Sequence, residues 1–222
     1  MNTISKKIGY FPAPSVPSAD PTDGLIRTAD LNNLIRVEFK AWEGIRPGYT
    51  AQLMIGDSFA ARTWTMTPDI SVGDTISIDM DPNVLNKEGV YSLYYITENP
   101  NSLIRTNSKA TSLIVDLTAP GACLLAPVIV ANVSFGEYFK ARVPSYAGME
   151  PGDVIQTVCN GAQGPAYRVL PKNLTTNPVE ISFSKEFLEG LFSDRINITY
   201  HVTDRAGNRS ILAQSVELTM QH

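Results

Sequence analysis

Two histidines, two cysteines and a handful of aspartates in turns are the side chains through which this 222-residue chain could do chemistry. A Ser-His-Asp triad would have to be built on His201, because His222 is the last residue. His201 lies in the middle of an apolar run and reads as a surface-facing strand residue, aligned with Tyr95 of the first half. Asp74, Asp79 and Asp81 surround one short strand, and the period of two puts Asp79 and Asp81 on the same face. Such a pair could serve a glycosidase or a calcium ion. The plainer reading is a solvated strand face with Asp81 capping a helical turn.

Cys123 and Cys159 are too far apart for a CxxC site. A disulfide between them is open, and two unbonded buried thiols are the favoured reading. Trp42, Trp64, Tyr146 and Tyr167 could form platforms for a sugar ring, although packing at a repeated turn explains Trp42 and Tyr146 more simply. Gly161-Ala162-Gln163-Gly164 has no lysine or helix after it and reads as a hairpin loop rather than a phosphate cradle. Asn132, Asn173, Asn197 and Asn208 stand in Asn-x-Ser/Thr triplets, read as coincidental. The sequence therefore assigns no catalytic, cofactor-binding or metal-binding residue, and no cofactor. It reads as a non-enzyme.

The elements that would position these groups are organised by a repeat. Ser145-Tyr146-Ala147-Gly148-Met149-Glu150-Pro151-Gly152 recurs as Ala41-Trp42-Glu43-Gly44-Ile45-Arg46-Pro47-Gly48. Both copies run on to a glutamine, Gln156 and Gln52, that enters an apolar strand. The spacing, residue 41 against 145, is about one small β domain. Gly44, Pro47 and Gly48 should therefore occupy the same strand connection as Gly148, Pro151 and Gly152. Proline presets φ and the following glycine tolerates positive φ, which suits a type II turn.

Short runs with turn signals between them predict strands in the first half at 34–41, 50–55, 61–66, 75–80, 90–97 and 111–115. In the second half they fall at 138–143, 154–159, 166–170, 179–183, 195–203 and 215–220. Short helical turns are predicted after Asp81 and Ser184. No long helical period appears, so the fold class is all-β: two tandem β-sandwich domains. Residues 1–22, rich in proline, read as an extended N-terminal lead-in, residues 23–118 as domain 1 and residues 119–222 as domain 2.

A hydrophobic fraction of 43% and a net charge of −4 describe a globular protein without a basic footprint for nucleic acid. No run approaches the length of a membrane helix, so membrane insertion is not expected. The N-terminus shows no classical secretory signal.

Tyr200-His201-Val202-Thr203-Asp204-Arg205-Ala206-Gly207-Asn208-Arg209-Ser210, followed by an alternating last strand, resembles the end of a bacterial immunoglobulin-like domain. The joint Asp116-Leu117-Thr118-Ala119-Pro120-Gly121 resembles the joints between such domains. The resemblance, to tandem domains of adhesin and invasin-like surface proteins, covers the chain from about residue 24 onward. It departs at Glu98-Asn99-Pro100-Asn101-Ser102, which stands where the Asp-x-Ala-Gly-Asn turn is expected.

The resemblance implies immunoglobulin-like sandwiches in which Tyr94 and Tyr200 are buried and their hydroxyls tie down a nearby corner. It also suggests calcium at Asp116 with Asp204. The function it implies is a structural or binding module for adhesion or protein contact, at the cell surface or outside the cell. An intracellular place stays open. The alternative is a carbohydrate-binding or glycan-hydrolysing protein with an aromatic and acidic face. Expected partners are a protein or a glycan, with homo-oligomers conceivable through exposed sheet edges.

Overall fold

Alternation of apolar and polar residues builds each strand, and burial of the apolar side against a facing sheet builds each unit. The structure is a computed structural model that describes residues 10–130, 138–174 and 178–219. The chain divides into two compact units, Met1–Leu117 and Thr118–His222. Both are all-β and sandwich-like. Among the described residues no helix is long and apolar enough to cross a membrane.

Unit 1 contains β1 (Leu25–Ile26), β2 (Ile35–Lys40), β3 (Thr50–Ile55), β4 (Ser58–Phe59), β5 (Trp64–Thr65), β6 (Thr75–Met80), β7 (Gly89–Glu98), β8 (Arg105–Asn107) and β9 (Thr111–Val115). The larger sheet runs β1-β9-β7-β3-β4, with β5 also on β3 and β8 also on β7. The smaller sheet is β2 with β6. From β2, Ile35, Val37 and Phe39 face inward, and from β6 Ile76, Ile78 and Met80 do the same. They meet Leu53, Leu93, Tyr95, Leu113 and Val115 of the larger sheet. Each such side chain contributes about 1.5–3 kcal/mol when fully buried. Tyr95 stacks on Phe39 with ring centroids 4.1 Å apart.

Residues 10–16 are extended, turns follow at Pro17-Ser18 and from Pro21 on, and the segment belongs to unit 1 rather than preceding it. Ser15 exchanges two backbone hydrogen bonds with Glu38, at 2.7 and 2.8 Å. Phe11 pairs with Ser108 and packs its ring on Trp42 at 5.1 Å. Val16 is buried. Pro12, Pro14 and Pro17 lack the N–H donors a continuous ladder needs, so this segment touches the sheets at single points.

Unit 2 contains β10 (Tyr138–Val143), β11 (Val154–Cys159), β12 (Ala162–Arg168), β13 (Val179–Ser184), α1 (Lys185–Glu189), β14 (Arg195–Thr203) and β15 (Val216–Thr219). Its sheets are β10-β13 and β12-β11-β14-β15. Phe139, Ile181 and Phe183 face Ile155, Ile198, Tyr200 and Val202 across the core. Ser184 caps α1, its Oγ accepting from the Phe187 N–H at 3.2 Å. In unit 1 the counterpart is a 3-10 turn, Pro82–Leu85, capped by Asp81.

The motif turns lie in the same connection of both units, between β2 and β3 and between β10 and β11. Gly48 N–H reaches Met66 O at 3.2 Å, and Gly152 N–H reaches Val169 O at 2.9 Å. Both glycines hold positive φ, 90° and 105°. Other elements differ from expectation. The stretch 61–66 is a strand only at β5, with β4 before it. Residues 162–164, expected in a loop, open β12, because Asn160 and Gly161 make the turn in positive φ.

The tyrosine assignment also shifts by one. In unit 1 Leu53 pairs with Tyr95, and in unit 2 Thr157 pairs with Tyr200. Tyr95, not Tyr94, is thus the buried equivalent of Tyr200. Tyr200 donates its hydroxyl to Ala126 O at 2.8 Å, tying the first segment of its unit rather than the preceding corner. Tyr94 is half exposed and donates to Gly56 O at 3.0 Å. Replacing Tyr200 by Phe strands a carbonyl, so the full chain should lose ~1–2 kcal/mol in chemical denaturation. Tyr94→Phe, where water can replace the lost partner, should cost about half as much or less. Equal losses at both positions would contradict this assignment.

Candidate functional site

An open groove of about 820 Å³ in unit 1 gathers residues of both sheets. One wall is the chain from β4 through β5, and Gln52 of β3 shapes it. The Gln52 carboxamide donates to Ala61 O at 2.7 Å and to Leu53 O at 3.1 Å, and its Oε1 accepts from the Thr63 hydroxyl at 2.6 Å. Trp64 is then set by its pairing with Ala51. One part of the indole packs on the core, and the side chain remains half exposed at the groove. Phe59, 73% exposed, also lines it.

The opposite wall is β6, which has β2 as its strand neighbour on one side and the groove on the other. Ser77 and Asp79 alternate outward from it because Ile76, Ile78 and Met80 alternate inward. Asp81 follows, its Oδ1 accepting the Asn83 N–H at 2.9 Å. Asp79 lies 3.7 Å from Arg36 with both side chains at least half exposed, a pair that adds at most about 1 kcal/mol of stability. A second hollow of about 580 Å³ shares Leu34 and Asp79 with the first and adds Asp30, Asn33 and Arg36. Between them the two hollows are lined by aromatic, carboxylate, amide and guanidinium groups.

Among the aromatic residues picked from the sequence, Trp64 lies in the groove. Trp42 is buried, edge-on to Tyr49 at 5.9 Å. Tyr146 donates to Asp153 at 2.8 Å, and Tyr167 donates to Asn173 at 3.2 Å. Asp79 and Asp81 meet at the groove, whereas Asp74 caps its own turn by accepting from Ser71 N–H at 2.7 Å. Asp204 holds Asn208 through both carboxylate oxygens. Among the described residues no three His, Cys, Asp or Glu side chains gather as a metal site. Asn173 is buried and holds Leu170 N–H, so it is not an open acceptor. Asn132 lies outside the described residues. Phe59, Arg62 and Asn33 were missed, and the repeated glutamine was the available signal, since Gln156 holds Gly164 O at 2.7 Å as Gln52 holds Ala61.

Other expectations are corrected. His201 is buried rather than surface-facing, with its Nδ1 3.2 Å from the Arg209 guanidinium. Burial and that positive neighbour lower its pKa. His222 lies outside the described residues. The two thiols are unbonded, but Cys123 is exposed. Cys159 is buried, which pushes its pKa up to about 11 and leaves it unreactive.

Asp153 is the one fully buried carboxylate of the described core, accepting from Tyr146 and from the Glu150 N–H at 3.1 Å. Desolvation raises its pKa, with Asp204 and Glu150 adding negative charge; the two hydrogen bonds oppose this. Comparison with protein-family models and with curated proteins returns no match.

The Asp153 environment gives a signed pH prediction. A raised folded-state pKa means the stabilising contribution is complete below the unfolded value of 3.8 and is lost as pH rises through the folded value. Asp153→Asn keeps an acceptor and removes the titration. The stability of the variant relative to the parent should therefore increase as pH rises above 3.8 and through the raised folded-state value, read from denaturation midpoints. His201 titrates in both proteins and cancels in the difference. A difference independent of pH would refute the assignment.

Proposed function

We propose that this chain is a non-enzymatic binding module built of two bacterial immunoglobulin-like sandwiches, whose contact surface is the groove of unit 1. The observation that carries the reading is the groove itself. It is an open channel beside β6, which among the described residues pairs with β2 alone, and Trp64 and Phe59 line it. Aromatic area gathered beside a groove is a feature of binding surfaces. Adhesion at the cell surface, through a protein or a glycan, is the role this surface fits best.

A hydrolase reading draws on Asp79 and Asp81 in the same groove. Both are solvent-exposed, and each is engaged, with Arg36 and with the Asn83 N–H. A glycosidase holds its proton donor in a water-poor surround, so the geometry favours binding over turnover.

The test has two parts. Immobilised neutral glycans, acidic glycans and extended peptides are screened for retention of the full chain, and any retention should weaken about tenfold or more in Trp64→Ala. Soluble glycans, esters and peptides are screened for hydrolysis with Asp79→Ala and Asp81→Ala alongside. Hydrolysis that disappears in those variants would replace the binding module by an enzyme. Retention unaffected by Trp64→Ala would move the contact away from the groove.

A further inference from the structure

Resting on the binding-module reading, we infer that the unit 1 groove takes an uncharged sugar chain, stacked on Trp64 and held through its hydroxyls by Asp79, Asp81, Arg62 and Asn33. The chemistry of the lining selects this ligand class. Trp64 is anchored in the core on one part and open to the groove on the rest, so it offers a rigid apolar plane with little ordering cost. A pyranose ring has a matching face of C–H groups and a rim of hydroxyls that both donate and accept.

The rim groups complement that pattern. Carboxylates accept two hydroxyl donors each, and guanidinium and carboxamide groups supply the donors a hydroxyl oxygen needs. Their spread over two hollows joined at Leu34 and Asp79 suits an elongated ligand of several rings.

Charge argues against the alternatives. Asp30, Asp79 and Asp81 oppose a polyanion, and Arg36 and Arg62 oppose a polycation. Asp79 is already balanced by Arg36, so an uncharged ligand disturbs no existing pair. An extended peptide could add to the free side of β6. Its backbone groups would be spent on that strand, leaving Asp81 and Arg62 dependent on whatever side chains it carried. A sugar chain brings hydroxyls to them with every ring.

The chain has two tryptophans, and Trp42 is buried, so ligand contact is read through Trp64. The full chain and each variant are titrated by calorimetry with lengthening oligomers of glucose, xylose, mannose and N-acetylglucosamine, with oligogalacturonate, and with an unstructured peptide, and Trp64 fluorescence is followed in the parent alone. Saturable change with at least one neutral series, tightening with oligomer length, is expected. Trp64→Ala should weaken it about tenfold or more and Trp64→Tyr should restore much of it, with Asp79→Asn weaker than the parent and circular dichroism unchanged in all. Tighter binding of oligogalacturonate overturns the uncharged class. Binding of the peptide alone, lost in Trp64→Ala, overturns the sugar while leaving the groove as a binding site. No response to any of these ligands overturns both readings.

Discussion

Both units depend on one local device, a Pro-Gly turn followed four residues later by a glutamine whose carboxamide spans to the next edge. The turn glycine donates across to a carbonyl, Met66 O or Val169 O, and the same residue returns its N–H to Tyr49 O or Asp153 O at 2.8 Å. The glutamine then donates to its neighbour's carbonyl and to the edge segment, Ala61 O in one unit and Gly164 O in the other, each at 2.7 Å. A strand slipped by one residue would turn every side chain to the wrong face. These bonds fix the slip at the point where the chain passes from one sheet to the other. Side-chain bonds to backbone also satisfy polar groups that an irregular edge would otherwise leave unpaired.

On that frame the two units keep positions and change chemistry. At the first aromatic position and the residue after the turn, unit 1 places Trp42 against Tyr49, an edge-on ring pair. Unit 2 places Tyr146 against Asp153, a hydrogen bond. Tyr49 further accepts from Asn99 at 2.6 Å, and Asp204 stands at the matching place in unit 2. An aromatic pair is indifferent to pH, whereas a buried carboxylate is not. At this position unit 2 carries a titrating group and unit 1 an aromatic ring, although their strands correspond around the turn.

Much of this was legible because strand alternation is a direct record of burial. β3, β6, β9, β10, β11 and β14 lie where the pattern puts them. The tyrosine register was not legible. Tyr91-Ser92-Leu93-Tyr94-Tyr95-Ile96 is apolar on both faces, so period two does not say which tyrosine points inward. The turn after it is one residue longer than in unit 2, since Leu103 N–H returns to Asn99 O where Gly207 N–H returns to Asp204 O. Matching residues 90–98 to 196–204 one for one therefore put Tyr94 on Tyr200, one residue out of register. Residues 10–22 were read as a lead-in for a related reason: prolines exclude a continuous ladder, and single bridges such as Ser15 to Glu38 leave no period in the sequence.

The groove was invisible for a different reason: it arises from what unit 1 lacks relative to unit 2. In unit 2, β12 runs unbroken from Ala162 to Arg168 and packs alongside β13, and Phe187 of α1 closes over it. The fit there is tight, since a Cβ on Gly164 would stand 2.6 Å from Thr157 Oγ1 and 3.4 Å from the Phe187 ring. In unit 1 the edge is broken into β4 and β5, and the five-residue helix is reduced to the turn that Asp81 and Pro82 start. Val84 reaches the space without a ring to fill it. A scaffold alone gains nothing from that opening, since filling it would bury more apolar surface at about 25 cal/mol per Å². On the reading proposed above, a bound ligand takes that role beside Trp64 and Phe59.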